Sequence, residues 1–274
     1  MSKGKLFSFI TLMSLSVCYA DDNLNVAESA YADNQVFQDF DNQFYIGYGM
    51  GNGNTKNSYG QKANYATNDV AFGVEKLFDM GIWLAFNGTL MTQYNNLSSN
   101  PNAVSDPVGQ DPAIADLDLK VGYAFPVLKD TLLLTPYGLL GRNTNISSNS
   151  LEDNNSSSGG TSTITVNSTQ DYFLSTGLGG RLEYRLDKIF DFYFDQNVVY
   201  NIDMSHPTSQ YAPMTNVSFT SILGAKFNVW RELQLGAQTY YNYSALTNGL
   251  TTPQQYDLIP QNYFGGMITV GLTY

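Results

Sequence analysis

Apolar residues recur at every second position over most of the chain from Gln43 onward. Val70, Phe72 and Val74, for example, alternate with small or polar residues. The same alternation marks the segments 43–51, 82–90, 116–125, 172–184, 190–200, 217–229 and 233–243. A period of two puts successive side chains on opposite faces of a β-strand, so the pattern predicts an all-β chain. No stretch after the N-terminus has the run of about 18 apolar residues that a membrane-spanning helix needs.

The segments are joined by two kinds of connection. Four are tight, at 79–81, 127–130, 187–188 and 230–231, and the five others are long and polar, at 53–66, 95–111, 145–168, 204–214 and 247–260. Tight and long connections alternate, as in bacterial outer-membrane barrels, where periplasmic turns are short and outer loops are long. We therefore expect ten strands, or eight if the first hairpin or the strand at Leu132 is misread. The stretch from Leu132 to Arg142 is strand-like, but Pro136 leaves its facing ambiguous.

Charged residues fall on the positions that alternate with the apolar ones. They are Glu75, Asp116, Asp118, Lys120, Arg181, Glu183, Arg185, Asp191, Asp195 and Lys226. Burying so many charges in the dry core of a soluble barrel is very costly unless all of them are paired. A polar lumen inside a lipid-facing apolar surface avoids that cost, and lipid also requires the sheet to close on itself. The predicted fold is therefore a closed antiparallel up-and-down transmembrane β-barrel.

Aromatic residues lie near both ends of the predicted strands. Phe78, Phe125, Tyr184, Phe190, Phe227 and Tyr274 are close to tight turns or the C-terminus, whereas Tyr94, Tyr172, Tyr200, Tyr241 and Tyr243 are close to long loops. Tyrosine is abundant, at 20 of 274 residues, while only 14% of residues are charged. Two aromatic belts are expected where a barrel meets the two membrane–water interfaces.

The first 20 residues have the pattern of a secretory signal peptide. Lys3 and Lys5 precede an apolar stretch, and small residues lead up to Ala20. We expect cleavage after Ala20, residues 21–42 as a short periplasmic N-terminal segment, and residues 43–274 as the barrel. The alternative is lipoprotein processing at Cys18, although Val17 stands where a lipobox has a small residue. Cleavage removes the only cysteine and changes the formal net charge from −11 to −13, which argues against nucleic-acid binding.

The C-terminal residues carry a family resemblance. Ile268, Val270, Leu272 and Tyr274 alternate without a gap and end in an aromatic residue. The chain resembles the Gram-negative outer-membrane β-barrel proteins, in the small OmpA-, OmpW- and opacity-protein-like range. In that superfamily the aromatic-ended final strand is a recognition signal for the barrel-assembly machinery. The resemblance implies that machinery as a partner, together with outer-membrane lipids and lipopolysaccharide.

The charged residues of the lumen allow two functions. Arg181 and Arg185 face Asp191 and Asp195 across the turn at 187–188, so the charges either rigidify a narrow plugged lumen or form a constriction for small solutes. Ten strands enclose less space than the 16–18 strands of open porins, which favours the plug. We expect a structural or surface-interaction protein, with a porin-like channel as the alternative. The long loops suit adhesion to host or extracellular ligands.

An enzyme is the third alternative, because ten strands is also the count of the omptin surface proteases. The one histidine, His206, follows Asp203 by three residues, whereas the omptin pattern has the aspartate two residues before the histidine. Outer-membrane lipid A deacylases use a His-x-Ser pair, but residue 208 is Thr. We therefore expect no catalysis, and the sequence has no pattern for a metal or another cofactor.

Overall fold

The computed structural model describes residues 36–56, 62–94, 113–128, 130–150, 166–204, 215–230, 232–248 and 259–274. Within these ranges the chain forms β1 (Gln43–Lys56), β2 (Lys62–Leu77), β3 (Ile82–Tyr94), β4 (Ala113–Tyr123), β5 (Phe125–Leu128), β6 (Leu132–Ser150), β7 (Val166–Arg185), β8 (Phe190–Asp203), β9 (Thr215–Asn228), β10 (Leu233–Asn248) and β11 (Ile259–Thr273). In the described ranges, no helix is long and apolar enough to cross a membrane. The predicted signal peptide and Cys18 lie outside them.

The strands form one closed antiparallel barrel. Successive strands pair with each other, except that β4 and β5 do not pair and both lie against β6, and β1 pairs with β11 to close the sheet, with Phe44 opposite Leu272. β4 and β5 are interrupted only at Ala124, and both pair with β6, so the eleven segments occupy ten positions around the barrel. The prediction of a ten-stranded, all-β, antiparallel barrel is confirmed.

The four tight turns and Tyr274 lie at one end of the barrel, which we call the turn end; the opposite end is the loop end. Two turn residues have positive φ, namely Gly81 at 86° and Asp130 at 56°. Asp187 holds its turn through its carboxylate, which accepts hydrogen bonds from the backbone N–H groups of Ile189 and Phe190, both at 2.7 Å. The turns therefore lie where the sequence predicted them.

At the loop end the strands are longer than expected. The connection predicted at 145–168 is strand up to Ser150 and again from Val166, and these two residues are register partners. β1 and β2 likewise continue to Lys56 and from Lys62. These extensions consist mainly of Ser, Asn, Thr and Lys, which carry no apolar alternation, but their backbone groups still pair in the antiparallel ladder. The sequence pattern therefore could not place the strand ends.

The outer face of the barrel is apolar. Alternate residues of the strands lie on this face, and the large side chains exposed there are mostly Phe, Leu, Ile, Val, Met or Tyr. Pro136 and Leu140 face outward and Leu133, Tyr137 and Leu139 face inward, which resolves the facing of β6. Aromatic side chains border the face at both ends. Phe78, Phe125, Tyr184, Phe190 and Tyr274 are exposed at the turn end, and Tyr200, Tyr241 and Tyr243 at the loop end.

The inside of the barrel is packed with side chains. Tyrosine rings lie directly over cross-strand glycines, as Tyr45 does over Gly73 and Tyr193 over Gly224. A methyl group on either glycine would overlap the ring. Glycine therefore provides the space in which large aromatic side chains cross the lumen.

Residues 36–41 form a short helical segment that enters the turn end of the barrel. The backbone N–H of Asn42 donates to the carbonyl of Gln38 at 2.9 Å, and Phe37 and Phe40 are fully buried. The chain then continues directly into β1. The final residues of the N-terminal segment predicted at 21–42 thus lie within the barrel mouth.

Candidate functional site

The mouth of the barrel at the turn end is closed by residues 36–42, which we call the mouth segment. Phe37 packs in one apolar cluster with Leu77, Trp83 and Leu133, which project from β2, β3 and β6. Phe37 and Phe40 are three residues apart and Asp41 is the next residue, so one helical turn directs all three side chains into the barrel. The segment therefore covers the opening with apolar and acidic groups together.

Backbone groups of the mouth segment bond to the barrel wall. The carbonyl of Phe40 accepts hydrogen bonds from Lys226 Nζ at 3.1 Å and from Gln234 Nε2 at 3.4 Å. The carbonyl of Asp39 accepts one from Asn228 Nδ2 at 3.2 Å. These two carbonyls have no partner within so short a helix, so the wall satisfies groups that burial would otherwise leave unpaired.

Arg181 is the centre of an ionic network above the mouth segment. Its Nη1 lies 3.1 Å from Glu75 Oε1, and its Nη2 lies 3.4 Å from Asp41 Oδ1 and also contacts Glu183. The guanidinium also lies over the ring of Tyr193, with its Cζ 4.6 Å from the ring centroid. One arginine therefore joins β2, β7 and the mouth segment.

Lys226 is the second cation of this network. Its ammonium donates to Asp41 Oδ1 at 3.0 Å, to Glu75 Oε2 at 3.0 Å and to the Phe40 carbonyl at 3.1 Å. An ammonium has three protons to donate, so these bonds use all of them. Glu75 is also held by Gln43 Nε2 at 3.0 Å.

A second ionic layer crosses the lumen farther from the mouth. Lys120 Nζ lies 2.9 Å from Asp195 Oδ2, and the hydroxyl of Tyr137 donates to the other oxygen of the same carboxylate. Asn197 Nδ2 donates to the Tyr137 hydroxyl at 3.4 Å. This layer joins β4, β6 and β8 across the barrel.

The two layers fill the inner half of the lumen, the half nearest the turn end. Arg181 is 3% exposed, Asp195 4% and Lys120 6%. Side chains lining a water-filled channel at these levels would be accessible to solvent. The lumen is therefore occluded at the levels of Arg181 and Lys120.

In the outer half of the lumen, hydroxyl and amide groups bond to one another and to the carboxylate of Asp69. Tyr240 and Tyr263 both donate to Asp69 Oδ2, and the hydroxyls of Thr67 and Tyr263 are also bonded. A second chain of bonds runs from Ser175 through Asn201 to Ser218. Ser175 donates to Asn201 Oδ1 at 2.5 Å, and Asn201 Nδ2 donates to the Ser218 hydroxyl at 3.1 Å. Among the side chains that the structure describes, no lysine or arginine faces this half.

The structure places the ten charged residues predicted for the lumen at different depths. Glu75, Lys120, Arg181, Glu183, Asp191, Asp195 and Lys226 are buried in the inner half. Asp116 and Asp118 face inward on β4 and are only partly buried, with Asp118 against Gly141. Arg185 is partly exposed at the mouth, where its Nε donates to the Asp187 carbonyl at 2.9 Å.

The ion pairs differ from those that the turn suggested. Arg181 is the register partner of Asp195, and Arg185 is that of Asp191, as the sequence predicted. Asp195 nevertheless pairs with Lys120, and Arg181 pairs with Glu75, Glu183 and Asp41. The predicted facing is thus present, but the ion pairs form mainly with side chains from other parts of the barrel, which closure of the sheet brings within reach.

The mouth segment and its carboxylate Asp41 were not predicted from the sequence. Its signal was the spacing of Phe37, Phe40 and Asp41, which places three side chains on one face of a helical turn. A six-residue helix is too short for that spacing to stand out, and the acidic residues around it resemble a solvated leader. The apolar cluster around Trp83 was also not predicted. A period of two shows that a side chain points into the barrel, but it does not show which side chains of other strands it meets there.

The predicted alternatives for chemistry lie largely outside the described residues. His206 is outside them, and of Asp203 only the strand position is described. No group of three or more His, Cys, Asp or Glu side chains is arranged to hold a metal ion in the ranges that the structure covers. The described residues therefore contain no catalytic geometry that would support the enzyme alternative.

The C-terminal pattern lies on the outer face of β11. Ile268, Val270, Leu272 and Tyr274 are all exposed, with Ile268 the most exposed of them at 68%. The backbone N–H of Tyr274 donates to the carbonyl of Asn42 at 3.1 Å, and Lys76 Nζ lies 4.7 Å from the centroid of the Tyr274 ring. Their role as an assembly signal stays a prediction.

No protein-family model and no curated protein sequence matches the chain. Similar solved structures include the outer membrane protease OmpT from Escherichia coli, with 12% identity and a TM-score of 0.41 over 86% of this chain and 97% of that chain. Neisserial surface protein A has 11% identity and a TM-score of 0.32, over 84% of this chain and 97% of that chain. Ail, the attachment invasion locus protein of Yersinia pestis, has 10% identity and a TM-score of 0.30, over 86% of this chain and 100% of that chain. These similarities are too weak to indicate a function.

The architecture of the barrel itself indicates its location. A closed antiparallel barrel with an apolar outer face, aromatic residues at both ends of that face and a polar interior is the form of outer-membrane proteins. The molecule is an outer-membrane β-barrel protein, its outer face is in contact with membrane lipids, and short turns of this kind face the periplasm.

Proposed function

We propose that this protein is a structural barrel of the outer membrane whose lumen is sealed against solutes. The observation that carries the proposal is the filling of the inner half by two ionic layers and the mouth segment. Surface interaction through the long loops is part of the same proposal, although those loops lie outside the described residues. Lipopolysaccharide, the barrel-assembly machinery and host ligands are the partners that this role implies.

The physical support for a seal is the number of independent obstacles along the lumen. A solute entering from the periplasm meets the mouth segment first, then the layer around Arg181 and Lys226, and then the pair of Lys120 and Asp195. Each obstacle joins strands from different walls of the barrel. Separating the buried charges without replacing their partners would cost several kcal/mol for each ion, so thermal motion rarely opens all three together.

Single-channel recording in planar lipid bilayers tests the seal. The purified protein is expected to give no steady openings above the bare-bilayer leak, while a 16- or 18-stranded porin in the same bilayer conducts. Protease protection of the same preparation in vesicles establishes that the barrel has inserted. Trp83→Gly, which removes the largest fully buried side chain of the lumen, is expected to give small, brief openings. Steady openings of the unaltered protein would establish the porin-like alternative instead.

A further inference from the structure

Among the residues that the structure describes, Asp191 is a buried carboxylate with no hydrogen-bond partner. It is 0% exposed, and neither of its oxygens has a hydrogen-bond partner in the described part of the chain. A carboxylate in such a position is expected to be paired, because leaving it unpaired carries a large desolvation cost. The arrangement around it therefore needs a physical explanation.

Two cations stand directly beside Asp191. Arg185 on β7 and Lys226 on β9 are its register partners on the two neighbouring strands. Opposite charges at such cross-strand positions normally pair. Asp191 therefore has two natural partners at its own level of the barrel and is bonded to neither.

The mouth segment takes Lys226 from Asp191, while Arg185 donates its Nε to the Asp187 carbonyl of the neighbouring turn. Lys226 turns its ammonium to Asp41 and to the Phe40 carbonyl, as well as to Glu75. Arg185 lies with its Cζ 5.9 Å from the centroid of the Phe40 ring. If the segment left the mouth, Lys226 would lose two of its three bonds and could turn to Asp191.

The charges at the mouth balance only when the mouth segment is absent. Among the described side chains that point inward at this level, the wall contributes three carboxylates, Glu75, Glu183 and Asp191, and three cations, Arg181, Arg185 and Lys226. Asp41 adds a fourth carboxylate without adding a cation. The wall is thus able to neutralise itself, and the segment enters by competing for cations that already have partners.

We propose that residues 36–42 are a displaceable latch. When the latch leaves, Lys226 exchanges Asp41 for the wall carboxylate Asp191, while Arg181 loses Asp41 and keeps its existing partners Glu75 and Glu183. The exchange keeps the number of buried ion pairs nearly constant, so the open state does not leave Lys226 or Arg181 unpaired. Opening exposes the layer around Arg181 to the periplasm and releases residues 36–42 as an extended tether. The pair of Lys120 and Asp195 remains in place, so the latch does not depend on whether the lumen conducts.

Hydrogen exchange of the membrane-inserted protein, followed by mass spectrometry, tests the latch. The amides of residues 38–42 are expected to exchange well before those of β8 and β9, because the latch opens without unfolding of the barrel. A plug that is fixed to the barrel would exchange only together with these strands. Equal protection of the segment and the strands would therefore overturn the proposal.

Two substitutions should move the exchange rate in opposite directions. Asp41→Asn weakens the hold of Lys226 and Arg181 on the closed latch, so the segment should exchange about tenfold faster. Asp191→Asn removes the competing carboxylate, so the segment should exchange about tenfold slower while the strand amides stay unchanged. The second variant also removes an unpaired buried charge and is not expected to impair folding.

Two matched controls change the same charge elsewhere. Asp39→Asn neutralises an exposed carboxylate of the mouth segment itself, and Asp130→Asn neutralises one in the turn between β5 and β6. Both should leave the exchange of residues 38–42 unchanged. If residues 38–42 exchanged at the same rate in Asp191→Asn as in the unaltered protein, Asp191 would not compete for Lys226. That result would refute the exchange of partners.

Discussion

The two halves of the lumen contain different kinds of bond. The inner half is held by ion pairs that join distant walls, with Arg181 and Lys226 at the centre. The outer half is held by hydroxyl and amide groups, with two tyrosines donating to the single carboxylate of Asp69. The cations of the inner half have several carboxylates within reach, whereas the two tyrosine hydroxyls of the outer half both donate to the same carboxylate oxygen.

This difference indicates how a barrel can be sealed and still have a movable part. Surplus carboxylates in the inner half give its cations a choice of partners, so this half contains a latch. The outer half has fixed partners and acts as a rigid collar. The same difference predicts that removing one charge from the inner half costs much more stability than removing one hydroxyl from the outer half.

The largest effect is expected from Arg181→Met. The substitution removes the cation that contacts Glu183 and one of the two cations that pair with Glu75, and loss of one partner from a buried ion pair costs about 3–5 kcal/mol. The free energy of unfolding in urea, measured on protein folded into lipid vesicles, should fall by that amount. Arg142→Met removes a cation from the outer face, where its Cζ lies 4.6 Å from the centroid of the Tyr172 ring, and should cost less than 1 kcal/mol. Equal losses in the two variants would contradict a central role for Arg181.

An intermediate effect is expected from Gly224→Ala, which tests the aromatic packing that both halves share. The added methyl group overlaps the Tyr193 ring, and overpacking of this kind costs about 1–3 kcal/mol. Gly180→Ala is the matched control, because a methyl group there meets no atom within 4 Å. Urea unfolding of the two variants should separate them clearly, and if Gly224→Ala proved as stable as Gly180→Ala, the ring would not be fixed over the glycine.

The smallest effect is expected from Tyr240→Phe in the outer half. The substitution removes one of the two hydroxyls that donate to Asp69, and a buried hydrogen bond to a charged group contributes about 1.5 kcal/mol. Tyr241→Phe is its neighbour on the other face, where the lost bond to Asn262 is exposed, at 2.9 Å. Tyr241→Phe should change the free energy of unfolding by only a few tenths of a kcal/mol. The difference between Tyr240→Phe and Tyr241→Phe therefore measures the contribution of the buried hydrogen bond.

Most of the barrel could be predicted from the sequence, because the features that define strands and turns lie within short stretches of the chain. Alternation within one strand determines which side chains face lipid, and turn residues such as Gly81 mark where the chain reverses. The facing of Arg181, Asp195 and Lys226 follows from the same alternation. The latch could not be predicted in this way, since nothing local shows that Phe37 and Phe40 will find an apolar pocket among Leu77, Trp83 and Leu133.

The ion pairs could not be predicted for a related reason. Lys120 and Asp195 are 75 residues apart, and Lys226 and Asp41 are 185 apart. Such pairs depend on the number of strands, on their stagger and on which side chains are long enough to cross the lumen. The sequence predicts the facing of each residue and the number of strands, but not the stagger that decides which long side chains meet across the lumen.

The seam between β1 and β11 has a consequence for how the molecule is made. Gln43 pairs with Thr273, and the carbonyl of Asn42 accepts a hydrogen bond from the N–H of Tyr274. The outer edge of β1 therefore stays unpaired until β11 has been synthesised and folded. Until then this edge and the corresponding edge of β11 can associate with other chains. Closing so long a loop is slow and exposes the chain to aggregation, so delivery to the membrane has to keep these two edges apart from other strands until they meet.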